Sequence, residues 1–134
     1  MALSLSTTTR TSLATAIITA AGNGAKIKFY NGTRPAGTGA LSGNTLLATL
    51  TQGGSSPIGT AASGAIDIDE AGFTQTTSAH VNGTPTFVDI TTSSDTVVAR
   101  VDIGAGAGNF QFTGTIATNQ NVTLTGLSIT VGNT

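Results

Sequence analysis

From position 97 to 103 the chain alternates without a break: Val97, Ala99, Val101 and Ile103 share one parity, Val98, Arg100 and Asp102 the other. A period of two sends successive side chains to opposite faces of a strand, whereas a helix would scatter the same apolar residues around its axis. The pattern recurs. Within 26–30, Ile27 and Phe29 point inward and Lys26 and Lys28 outward; Ile66 and Ile68 alternate with Asp67 and Asp69; and 46–51 reads as a further strand. Phe73, Gln75, Thr77, Ala79 and Val81 share one face of a strand predicted to end at Asn82-Gly83, a dipeptide that suits a two-residue hairpin turn because both positions tolerate positive φ. The return strand covers 84–92, with Val88 and Ile90 on one face and Pro85 keeping its first residues out of a central ladder. Ser93-Ser94-Asp95 supplies the next turn, and Phe110 and Phe112 open another strand. Val122 and Leu124 share a parity that switches at Gly126 to Leu127, Ile129 and Val131, as a β-bulge would produce. About eight short strands predict an all-β fold, an antiparallel β-sandwich of jelly-roll-like type.

One segment departs from the period of two. Leu13, Ala14, Ile17, Ile18 and Ala21 form an apolar stripe at helical spacing, which predicts a short N-terminal helix over 9–21. Thr8 or Thr9 is its expected N-cap, and Gly22-Asn23-Gly24 its end. Ahead of it, 1–8 reads as an arm in which Leu3 and Leu5 alternate with Ser4 and Ser6, and 9–134 as a single domain. Asn31-Gly32-Thr33 is a turn, 34–39 a loop, and 52–63 a long loop with a short extended piece near Ile58. Arg10 followed by 11–21 has some of the character of a signal peptide, but Thr interrupts the apolar stretch and the helix reading fits better. No apolar run is long enough for a membrane-spanning helix.

Composition narrows the chemistry. Val, Ile, Leu and Phe make up 31 of the 134 residues, enough for a real but thin core. Charge is scarce, five Lys plus Arg against six Asp plus Glu, and a net charge of −1 lacks the basic footprint of nucleic-acid binding. With no Cys, disulfides, thiol nucleophiles and Cys-ligated metals are excluded, and one His excludes a poly-His site.

Few residues remain that could carry a reaction. His80 is the only possible general base; parity places it with Thr74, Thr76 and Ser78 on a polar face, and no Gly-x-Ser-x-Gly elbow accompanies it, so an exposed strand-end His is expected. Asp67, Asp69 and Glu70 form an acidic cluster but lack the ligand spacing of a Ca²⁺ loop, and glycoside hydrolysis by the pair lacks a Trp to stack on sugar. They read as a solvated strand edge. The run Gly104-x-Gly106-x-Gly108 leads into a predicted strand, not the helix a phosphate-binding loop requires. Asn31, Asn82 and Asn121 match the glycosylation acceptor pattern, the first two being explained as turns. Lys26, Lys28 and Arg34 near Tyr30 are too few for a nucleic-acid platform and suit a polar contact strip for a protein. The expectation is a non-enzymatic chain with no cofactor and no metal.

The segment Lys26-Ile27-Lys28-Phe29-Tyr30-Asn31-Gly32-Thr33-Arg34-Pro35-Ala36 after a helix, then Leu46-Leu47-Ala48-Thr49-Leu50 and an apolar 122–131, is similar to small virion proteins of tailed bacteriophages. Among these it resembles head decoration or cement proteins. The resemblance implies a jelly-roll-like domain made in the bacterial host cytoplasm, which binds the exterior of an assembled capsid as a homo-oligomer, dimer or trimer, and stabilises it. The implied partner is the major capsid protein, with no nucleic acid and no membrane. On this reading the candidate contact residues are Leu3 and Leu5 in the arm, Arg10, and Arg34 and Pro35 at the start of the 34–43 loop, with the 52–63 loop as a further region. A tail, baseplate or fibre component is the alternative, and a bacterial surface adhesion or carbohydrate-binding module a third.

Overall fold

The computed structural model describes residues 3–104, 110–124 and 128–132. The described chain is mostly β with one helix: α1 (Thr7–Ala21), then β1 (Lys26–Tyr30), β2 (Leu46–Gln52), β3 (Gly59–Ala62), β4 (Ala65–Ile68), β5 (Phe73–Gln75), β6 (Phe87–Thr91), β7 (Val97–Asp102) and β8 (Ser128–Thr130). They form two open antiparallel sheets, one of five strands in the order β5-β2-β1-β6-β7 and one of three in the order β3-β4-β8.

Register explains the core. Ile27 lies opposite Leu50 on one side and Ile90 on the other, and Phe29 lies between Ala48 and Val88. All six are buried. They share one hydrophobic cluster with Ile66, Ile68 and Ile129 of the smaller sheet and with Ala14 and Ala21 of α1. Complete burial of a Phe or Ile side chain stabilises by about 1.5–3 kcal/mol, so this cluster outweighs any surface contact.

The helix starts at Thr7, two residues before the expected position, because Ser6 caps it: its Oγ accepts from the Thr9 N–H at 3.2 Å. Threonine is a weak helix former. Here Thr11 and Thr15 donate their hydroxyls to the Thr7 and Thr11 carbonyls one turn back, which satisfies them without unwinding the helix. Docking supplies the rest. Ala14 and Ala21 are buried and Ile17 and Ile18 half-buried, and α1 rests mainly on β3 and β4. Leu13, expected in the apolar stripe, lies off this face and is exposed.

Several expected elements are replaced by others. The strand predicted over 73–81 stops at Gln75, and the chain makes a 3₁₀ turn at Thr77–Ala79. Asn82-Gly83 forms no hairpin turn: neither residue has positive φ, and Gly83 exchanges two backbone hydrogen bonds with Ile116. Its glycine serves close approach, since a Cβ would sit 2.9 Å from Leu47 Cδ2. The two-residue hairpin lies instead at Ser63-Gly64, with φ of 51° and 78°, between β3 and β4. Gln52 therefore belongs to β2, and only the first part of 52–63 is loop. Phe110 and Phe112 open no strand; Phe110 makes a single parallel bridge to Ile103. The Gly126 parity switch and the Gly106 and Gly108 positions lie outside the described residues.

Candidate interaction surface

The same parity that buries Ile27 and Phe29 puts Lys26, Lys28 and Tyr30 on the opposite face of the five-stranded sheet. Register places Asp89 opposite Lys28 and Phe87 opposite Tyr30, then Arg100 opposite Asp89 and Asp102 opposite Phe87. Four of the five basic side chains and three of the six acids are thereby collected on one face.

Its centre is dry. Arg100 Nε and Nη2 reach the two Asp89 carboxylate oxygens at 2.6 and 2.8 Å, and both side chains are only 2% exposed. Arg100 Nη1 donates to the Gly39 carbonyl at 2.9 Å and to the Gly37 carbonyl at 3.4 Å. The guanidinium carbon lies 5.5 Å from the Phe87 ring centroid, and Phe87 stacks on Tyr30 at 5.4 Å. A forked pair of this kind is directional as well as charged. The carboxylate beside it holds Arg100 above the usual arginine range.

Around this centre the other charges also pair. Arg34 Nε meets Asp102 at 2.6 Å, and Lys26 and Lys28 converge on Asp95 Oδ1 at 2.9 and 2.8 Å. Hydrogen bonds from Lys28 and Lys26 hold the Asp95 carboxyl below its ordinary value. The 34–43 loop is thus laid across the sheet, not projected from it. Asn44 fixes its base by donating to the Asn31 and Thr33 carbonyls at 2.8 and 3.0 Å.

Tyr30 reports on this face. Burial first, and Asp89 second, push its hydroxyl above 10.0. A group whose folded value is raised contributes stability that is complete below the unfolded value and disappears as pH climbs through the folded one. The unfolding free energy should therefore decline above about pH 10, and Tyr30→Phe should flatten that alkaline limb. Since Tyr30 is the only tyrosine, phenolate absorbance titrates it directly. A transition at the ordinary tyrosine value would refute the assignment.

The sequence-derived candidates divide into two places. Arg34 is paired on the sheet face and Pro35 is half-buried beside it. Arg10 and Leu5 lie elsewhere, against the hairpin and the end of β8: Arg10 passes beneath Gly64, and Gly132 lies beside both. Arg10 Nη2 donates to Thr7 Oγ1 at 3.3 Å. Leu3 is 79% exposed. His80, expected on an exposed polar face, is buried with Nδ1 3.0 Å from the Gln120 carbonyl, because the 3₁₀ turn ahead of it resets the parity. Asp67 and Asp69 are exposed, with Asp69 accepting from Gln52 Nε2 at 3.1 Å. Among the described residues no group of three or more His, Cys, Asp or Glu could hold a metal ion, and no helix is long and apolar enough to cross a membrane.

Comparison of the chain with protein families, with curated proteins and with solved structures returns no match.

Proposed function

We propose that the chain is a non-enzymatic virion structural protein that binds the exterior of an assembled phage capsid and stabilises it. The observation that supports this most is the combination of an exposed Leu3 with an uncharged outer face of α1, where Leu13, Thr15, Ala16, Thr19 and Ala20 are exposed. Such a surface is poorly suited to a free, highly soluble monomer and well suited to burial against a protein lattice. Binding the folded state alone adds free energy to a domain with a thin core. In this reading the two sheets close on their shared core as a jelly-roll-like sandwich. The partners are the major capsid protein and further copies of the chain.

The test is co-sedimentation of purified protein with undecorated capsids of the phage whose genome encodes it, followed by capsid heat resistance. Binding and a higher capsid melting temperature are expected. Leu3→Asp, at a site too exposed to matter for folding, should weaken the binding at least about tenfold. Absence of co-sedimentation would overturn the proposal, and unchanged binding by Leu3→Asp would remove the arm from it.

A further inference from the structure

On the β5 side of the larger sheet the backbone ladder is interrupted. β5 accompanies β2 from Leu50 to Gln52, and the chain then detours through the 3₁₀ turn and rejoins β2 where the Val81 N–H donates to the Leu47 carbonyl. The detour encloses a cavity of about 370 Å³, within the range of small-ligand pockets. Threonines 49, 51, 74 and 76 line it, with Leu46 and Leu47 as an apolar side and His80 in its wall. No charged side chain lines it.

His80 gives the cavity its polarity. A carbonyl oxygen only accepts, so Nδ1 must carry the proton it shares with Gln120, and Nε2 of the neutral ring is then an acceptor. Nε2 is buried and has no hydrogen-bond partner, an uncommon condition for a polar atom in a native interior. The wall is also stiff. Thr118 Oγ1 donates to the His80 carbonyl at 2.7 Å, the Asn119 N–H donates to the Thr77 carbonyl, and the Gln75 amide is committed in both directions to Val122.

We propose that this cavity is a binding site for a small neutral polyol or monosaccharide. Ligand hydroxyls meet the threonine hydroxyls and supply a donor toward His80, and the ligand's C–H face rests on Leu46 and Leu47. The uncharged lining disfavours phosphate, carboxylate or amine ligands. An added peptide strand is disfavoured because β5 and Val81 already occupy that edge of β2.

Since His80 is the only imidazole, its ring nitrogens give unambiguous NMR signals. The intact protein is titrated with glycerol, glucose, galactose and N-acetylglucosamine. A saturable shift of the His80 ring nitrogens and the Thr49 methyl with at least one of them, at millimolar concentration, is expected. Thr49→Val and, independently, Thr76→Val keep side-chain shape and remove one hydroxyl each; each folded variant should bind at least about tenfold more weakly. No saturable shift with any of the four probes, or binding unchanged in both variants, would overturn the proposal.

Discussion

Replacing Arg100 by Met is expected to lower the unfolding free energy by about 3–5 kcal/mol, because it leaves the Asp89 carboxylate charged, buried and without its partner. A urea titration would show this as a fall in midpoint at constant slope. Arg100→Lys should recover only part of the loss, since an ammonium cannot reproduce the forked contact. The double variant Asp89→Leu with Arg100→Met should regain most of the stability, as apolar replacements of buried ion pairs commonly do. Its 34–43 loop should nevertheless stay released, having lost the donor to the Gly37 and Gly39 carbonyls. Amide exchange in the loop separates the two effects. A loss below about 1 kcal/mol in Arg100→Met would mean that the pair does not anchor this face.

Phe29→Ala should be comparably damaging, at about 3–5 kcal/mol. Phe29 is fully buried in the central strand and meets Phe110 edge-on at 5.6 Å and Phe112 at 5.2 Å. Those contacts matter beyond their area. Residues 110–124 make only isolated bridges to the rest of the chain, so this segment depends on the ring cluster and on the Gln75 clasp to Val122. The variant should therefore show a lower melting temperature together with earlier proteolytic cleavage within 110–124. Phe112→Ala, at a half-buried site, should cost less than Phe110→Ala at a fully buried one. Equal losses would contradict the packing described.

The strands legible in the sequence are those whose burial depends on side-chain parity. β1, β4 and β7 alternate openly, and β2 and β6 are apolar enough to register against β1. β3 left no such trace, because Gly59-Thr60-Ala61-Ala62 is built of small residues; Gly59 is there because a side chain would overlap the Asp67 carbonyl. Its one local signal was the Ser63-Gly64 turn, outweighed by the apparently stronger Asn82-Gly83. Parity also failed past Gln75, where a 3₁₀ turn resets which face each residue occupies, and so His80 was placed on the wrong side. The buried ion pair had a trace in Asp89, a lone carboxylate inside the apolar run 87–91. Its partner became visible only when register set β7 against β6.

The reach of Arg100 also bears on the order in which the molecule assembles. The carbonyls it holds lie 61 and 63 residues earlier in the chain, and β1 cannot acquire its β6 neighbour until a comparable length has been synthesised. Contacts this distant in sequence slow folding, and chain elongation delivers them last. The 34–43 loop leaves the ribosome with its β1–β2 hairpin, well before the residue that fixes its shape. Its final conformation is thus a late product of folding, complete only when the opposite edge of the sheet has arrived.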